Sequence, residues 1–321
     1  MFLGLAIGDA LGKPVEMFKR EKIANLHGRV TSYLPCDGHK FFDGHPIGSI
    51  TDDTILSMAV AEALIEDHLS MEVQARRHAE ALEHAMGGWG NTTKEALRRL
   101  KKGVSWEESG KSDRPMRGTG NGVAMKIIPY GAYCAALKIE VRNSFLEDLS
   151  LMTHYTHLGV SSGYVMATAA KHAFMWGGLL PEPRHMKALV DAMVAAAIGG
   201  VQRKGDPSEE SLADNIHKLY GYDNMNPESI GEMFGNGSCY IMHSVPFTLA
   251  YWMRNPASVE VIYDLASAGG DTDSNASMAG GLVGAMSGDG VFPTELVNGL
   301  GCRDEVLDLA ERFCDKFGVE N

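Results

Sequence analysis

Cysteine is sparse in this chain: five residues (Cys36, Cys134, Cys239, Cys302 and Cys314) in 321, odd in number, scattered and without a C-x-x-C pair. That pattern excludes a disulfide framework and a thiolate zinc site, and it fits a reducing compartment. Positive charge is also short. Lys and Arg number 29 against 41 Asp and Glu, a formal net charge of -12, which disfavours a protein built to wrap a phosphate backbone. A small anionic ligand stays compatible with that balance if its phosphates meet backbone N–H groups instead of lysines. Long apolar runs are missing too: Ala276 to Met286 is too short to span a bilayer. The opening MFLGLAIGDALG has no basic stretch ahead of it and reaches Asp9 too early for a secretory leader. A cytoplasmic protein without a membrane partner is expected.

Alternating β-branched runs are nearly absent, and neither hairpin signals nor a regular strand–helix alternation appears. What is present has helical spacing and is rich in Ala, Leu and Met: Thr54 to His68, Met71 to Met86, Val160 to Trp176, Met186 to Val201 and Asp304 to Phe317. The expected fold is all-α. Gly/Pro/Asp-rich stretches at Pro35 to Gly48, Gly103 to Gly122, Gly205 to Gly237 and Gly288 to Pro293 read as connecting loops. None is a low-complexity linker and composition does not shift between the halves, so one domain, 1–321, is expected. Methionine, 18 residues in all, suits the filling of gaps between helices.

Two acidic clusters stand at the starts of helical runs. Thr51, Asp52 and Asp53 precede an apolar run, and Asp271, Thr272, Asp273 and Ser274 precede a run of small residues. Either could be helix capping, because Asp and Thr cap well and favour the positive end of the helix dipole. Capping needs one oxygen ligand, however, and each cluster carries more. All-oxygen groups suit a hard cation such as Mg²⁺ or Mn²⁺ better than zinc, and carboxylates converging without cations would repel. DTDSNASMAGGL fails as an EF-hand, with Ala276 at the sixth position and Leu282 at the twelfth.

RGTGNGVAMK (Arg117 to Lys126) is a poor dinucleotide fingerprint: Val123 stands where the third glycine belongs, and DRPM ahead of it is no strand. It reads as a turn whose Asn121 and consecutive N–H groups offer a nest for phosphate or ribose oxygens. In THYTHLG, His154 and His157 lie three apart, one face if the segment is helical; metal binding, ligand contact and a satisfied polar edge all stay open. Glu16 follows Asp9 by seven residues, which on a helix again shares a face.

Together these elements resemble the ADP-ribosylglycohydrolase family. GLAIGDALGKPVE, TDDT, GNGVAMK, THYTHLG, GNGSCYIMHSVP and GGDTDS occur in family order, from residue 4 to residue 274. The resemblance implies a compact single-domain, multi-helix orthogonal bundle with a central binuclear Mg²⁺ or Mn²⁺ cleft for ADP-ribose. Carried over by position, Thr51, Asp52 and Asp53 supply one set of metal ligands and Asp271, Asp273 and Ser274 the other. Glu16 would lie beside the metals as a ligand, and either Glu16 or Asp52 would serve as the general acid/base. Met116, Arg117, Gly118, Thr119, Gly120, Asn121 and Gly122 would wrap the phosphates and distal ribose. His154, followed by Leu158 and Gly159 at the family spacing, would match the family histidine, and Ser238 falls where the family lines its pocket. Ser274, Lys126 and His243 stand where the family usually has Thr, Arg and Glu.

The implied reaction is hydrolysis of the bond from ADP-ribose C1″ to a protein side chain or a small-molecule acceptor. The implied partners are therefore ADP-ribosylated proteins or small molecules, with nucleic acid only as an ADP-ribosylated end, and a monomer is expected. Two alternatives are weighed against it. A binding module that lost turnover should tolerate loss of Glu16, which is present; a different Mg²⁺ enzyme would place its D-x-D at a strand end, and no strand is expected before Asp271.

Overall fold

Three glycines at a spacing of four decide how the first helix, Phe2–Gly12, packs: Gly4, Gly8 and Gly12 lie on one of its faces. Against that face runs the helix Thr272–Ser287, itself rich in Gly, Ala and Ser. A Cβ on Gly4 would fall 2.6 Å from the Gly280 carbonyl carbon, and one on Gly8 would fall 2.7 Å from the Ser277 nitrogen and closer still to the Ala276 carbonyl. The two backbones touch directly, antiparallel, with Gly12 meeting Thr272, whose Oγ1 donates to the Gly12 carbonyl at 2.7 Å. No side chain other than hydrogen would permit that approach. The consequence is positional: the end of the first helix is delivered to the start of the second acidic cluster.

The computed structural model describes residues 1–84, 88–114, 116–203 and 206–318. Among them are seventeen α-helices and no strand, with one isolated antiparallel bridge, Gly120 to Tyr240. The all-α expectation therefore holds. Most buried apolar side chains among the described residues form one contiguous core, from Phe2 to Phe313. Met125, Met152, Met166, Met193, Met253 and Met278 are all buried within it, as the gap-filling role of methionine anticipates. No described helix is long and apolar enough to cross a membrane.

The expected helices appear as Asp52–Glu66, Met71–Ala81, His157–Trp176, Pro183–Ala197 and Arg303–Phe317. The expected end at Met86 and loop start at Gly205 lie outside the described residues. Two of the expected loops contain helix instead. Trp106–Ser109 lies in the first, and Leu212–His217 and Pro227–Met233, joined through a 3-10 stretch at Lys218–Asn224, lie in the second. These segments are one or two turns long, too short to show a period. They are stabilised by burial of Leu212, Ile216, Leu219 and Ile230 in the core and by an Asn226 cap that accepts from the Ser229 N–H at 2.9 Å.

The third element that sets the site is the helix Asp52–Glu66. Its start is pinned to the first helix by Asp9, wholly buried, whose carboxylate accepts from the Thr51 N–H (2.9 Å), the Thr54 N–H (3.2 Å) and Thr54 Oγ1 (2.6 Å).

Candidate active site

Both acidic clusters sit at helix N-termini, yet in neither does a carboxylate make the N-cap bond. At Asp52–Glu66 the cap is Thr51, whose hydroxyl accepts from the Asp53 N–H at 3.3 Å and donates to Asp53 Oδ2 at 3.0 Å. Asp52 is left with one long contact, from the Gly90 N–H at 3.4 Å. At Thr272–Ser287 the N-cap residue is Asp271, but its side chain makes no cap bond. Its Oδ2 accepts instead from Asn121 Nδ2 at 2.7 Å. Asp273 Oδ1 accepts the Ser274 N–H at 2.9 Å.

Glu16 joins them from the first helix, which ends at Gly12 and turns through a 3-10 stretch, Lys13–Val15, so that Glu16 leaves in extended backbone. The helical face it was expected to share with Asp9 is thus not formed. The turn nevertheless carries one carboxylate oxygen of Glu16 to within 4.8 Å of oxygens from Asp271 and Asp273. Asp52, Asp53 and Ser274 line the same cleft, whose volume is about 560 Å³. Among the described residues, Glu16 Oε2 and Asp53 Oδ1 are buried with no partner. Buried orphan acceptors are costly, and an all-oxygen donor set of this kind fits a hard divalent cation.

The electrostatics agree. Burial, then the neighbouring Asp271, Asp52 and Asp9, push Glu16 up to about 8. Burial first, with Asp9 and Asp271 adding, pushes Asp52 up to about 7 against the bond from Gly90. Asp53 and Asp273 are raised well above the carboxylate range by the same combination. A carboxyl whose folded value is raised holds a proton that the unfolded chain releases. Its contribution to stability is present below the ordinary values of 3.8 and 4.5 and is lost as pH rises through about 7 and about 8. With chelator, the melting temperature is therefore expected to fall steadily between about pH 5 and about pH 8.5, and excess Mg²⁺ or Mn²⁺ to flatten that fall. Thermal denaturation across that range checks it; identical profiles with and without cation would sink it.

A clasp of backbone borders the carboxylates. The Asn121 N–H donates to the Cys239 carbonyl at 2.9 Å and the Ile241 N–H to the Thr119 carbonyl at 2.9 Å, tying the glycine stretch to the start of the helix Ile241–Arg254. Gly118 needs to be glycine, with φ +85 and a hypothetical Cβ 2.7 Å from Thr156 Cγ2. Met116, Arg117, Thr119, Gly120, Asn121 and Gly122 line the cleft. Gly118 does not: its carbonyl accepts from Thr156 Oγ1 at 2.6 Å. Arg117 is held by Glu95 at 3.1 Å.

The two histidines part company. The helix begins only at His157, capped by Thr156, so His154 precedes it and the shared-face expectation does not apply. His154 lines the cleft. His157 turns away, with Nδ1 2.9 Å from Asp206 and Nε2 2.9 Å from the Glu210 carbonyl. Thr51 and Ser238 also lie off the cleft lining; the Ser238 hydroxyl bonds His243 Nδ1 at 2.8 Å, and its neighbours Cys239 and Tyr240 face the cleft instead. Sequence reasoning missed those two, the Trp89 to Lys94 segment, and Met17 and Phe41 at the rim. Asp9 carried a signal, a lone acid in an otherwise apolar helix, but its role as the anchor of Thr51 and Thr54 needs the fold.

The family model described as ADP-ribosylglycohydrolase matches residues 1–321. An uncharacterised protein of Archaeoglobus fulgidus is 27% identical over 97% of this chain and 93% of its own length. The ADP-ribosyl-[dinitrogen reductase] glycohydrolase of Rhodospirillum rubrum is 26% identical, covering 91% of this chain and 86% of its own length. A solved structure titled ADP-ribosylglycohydrolase-related protein complex superposes with a TM-score of 0.66 at 22% identity, over 98% of this chain and 96% of that one, which speaks to the fold alone.

Proposed function

This chain belongs to the ADP-ribosylglycohydrolase family, a family of glycosyl hydrolases, and from that premise we propose that it hydrolyses the bond between ADP-ribose C1″ and an acceptor on a protein or small molecule, with two divalent cations in its cleft. The observation that carries the reading is the meeting of Glu16, Asp271 and Asp273 within 4.8 Å beside Asp52, Asp53 and a backbone clasp in one cleft. The whole chain, 1–321, would serve as one domain.

Asp52, Asp53, Asp271, Asp273 and Ser274 would hold the cations, with Thr51 joining once its hydroxyl releases Asp53, and Glu16 beside them. When bound, the cations supply orientation of the ribose 2″ and 3″ hydroxyls and a lowered pKa for water. Glu16, with a free Oε2, and Asp52, with one long contact, are the two groups placed to protonate the leaving acceptor and to accept a proton from attacking water. The surrounding carboxylates favour the positive charge that develops on the sugar ring. The clasp from Met116 to Gly122 would take the phosphates and distal ribose, with the N–H groups of Thr119, Gly120 and Gly122 as the donors on the cleft side, which suits a protein of net charge -12.

The test is release of ADP-ribose from arginine-modified and serine-modified proteins and from an O-acyl ADP-ribose, each with Mg²⁺, with Mn²⁺ and with chelator. Cation-dependent release from at least one substrate is the expected result and names the acceptor class. Binding of ADP-ribose without release from any of them would overturn hydrolysis in favour of a binding protein.

A further inference from the structure

Behind the clasp lies a buried line of polar groups that the hydrolytic reading does not use. Lys126 comes from one stretch of chain and the adjacent pair Thr153 and His154 from another, and their exposures are 0%, 0% and 2%. Lys126 Nζ donates to Thr153 Oγ1 at 3.1 Å, its one bond among the described residues. The same Thr153 oxygen lies 3.0 Å from His154 Nδ1. His154 then presents its ring to the cleft, wedged against Gly122, where a Cβ would fall 2.6 Å from Cε1 and 2.9 Å from Nε2. We propose that Lys126 is a positioning residue which, through Thr153, fixes His154 as the tautomer protonated at Nε2, so that the ring can only donate a hydrogen bond to the ligand.

Donor counting carries the argument. An ammonium group only donates, so the Thr153 oxygen accepts from Lys126. The hydroxyl proton then needs an acceptor, and among the described residues the one within reach is His154 Nδ1. Were Nδ1 protonated, the threonine would face a donor on both sides and its own proton would be buried unmet. Nδ1 is therefore the acceptor, and the ring proton stands on Nε2. Burial and the charge of Lys126 push His154 down to about 3, so the ring stays neutral, and the tautomer is fixed while Lys126 is an ammonium group, below the value of about 7 to which burial pushes it. His78, also wholly buried near Lys126, donates its Nδ1–H to the Gln74 carbonyl at 2.8 Å and keeps Nε2 without a hydrogen-bond partner among the described residues, so it takes no part in the line from Lys126 to Thr153. Binding of an acceptor oxygen or ring nitrogen of ADP-ribose by Nε2–H rests on the function proposed above; the tautomer itself does not.

The experiment reads both separately. Histidine-labelled protein without ligand is examined by long-range ¹H–¹⁵N correlation at pH 6, below the value of about 7 to which burial pushes Lys126, with the His154 signals assigned by their loss in His154→Gln. Wild type is expected to show Nδ1 unprotonated and Nε2 protonated. Thr153→Val and Lys126→Met are expected to give a tautomer mixture and to weaken ADP-ribose binding by about tenfold, raising KM more than they lower kcat. Lys126→Arg, which keeps a donor, is expected to restore the wild-type tautomer and affinity. A protonated Nδ1 in wild type overturns the relay, and so do tautomer and affinity unchanged in both Thr153→Val and Lys126→Met. The expected tautomer pattern with no ADP-ribose binding by wild type upholds the relay and overturns the functional reading instead. Lys126→Met places an apolar chain of similar length in the same pocket, and its circular dichroism shows whether the fold survives.

Discussion

Asp271→Ala should lose ADP-ribose release by at least about a thousandfold while the cation-free protein melts no lower than the parent. Both halves follow from one fact. Asp271 is buried, 4% exposed, and its charge raises Glu16, Asp52, Asp53 and Asp273. Removing it takes a repelling charge out of a crowded site, so the apo fold gains what the active site loses. The offsetting loss is the Asn121 bond at 2.7 Å, and Asp271→Asn, which keeps an acceptor oxygen, isolates it. Release assays and melting curves with chelator and with Mg²⁺ or Mn²⁺ check the prediction. The parent should be stabilised by cation and the variant should not. Full release by the variant, or a melting temperature well below the parent in chelator, would show that Asp271 supports the fold and not the chemistry.

The second large effect is expected far from any charge. In most helix interiors Gly→Ala stabilises by about 1 kcal/mol. Gly8→Ala should do the opposite, because the new Cβ would fall 2.7 Å from the Ser277 nitrogen and nearer to the Ala276 carbonyl. Backbone cannot rotate out of the way as a side chain can, so the two helices must separate. The expected cost is on the order of 3–5 kcal/mol, a drop of roughly 5 to 15 °C in melting temperature. Cation affinity should fall with it, since the same contact carries Asp9 and Glu16 to Asp271 and Asp273. Gly290→Ala, where a Cβ would meet nothing within 4 Å, is the control. Equal melting temperatures for the two variants would mean that the close approach is not what holds the site together.

These two predictions sit on opposite sides of what could be read from the chain. The charge of Asp271 was visible as a D-x-D at a helix start, and both capping and metal binding were open. That its side chain makes no cap bond depended on a neighbour distant in sequence: Asn121, 150 residues away, takes Asp271 Oδ2, while in the other cluster the adjacent Thr51 makes the cap. The glycines of the first helix were visible as well, but nothing local says which surface they meet.

By itself the sequence determined the helical class, because 3.6-residue periodicity in runs such as Val160 to Trp176 is a local property that burial only reinforces. It also determined the two acidic helix starts and the glycine turn, since N-terminal Thr/Asp and consecutive glycines act on their own backbone. Resemblance of six motifs in order gave the family. Tertiary structure decided the rest. Glu16 reaches the cluster because the first helix stops at Gly12 and runs antiparallel to Thr272–Ser287. His154 faces the cleft and His157 does not, because the helix starts between them. The Trp89 to Lys94 wall left no mark in composition, for a residue that lines a cavity differs from one that faces solvent only in what lies across from it. Helices are specified within one turn of chain, whereas a site is specified by which turns meet, and that depends on how closely two distant backbones can approach.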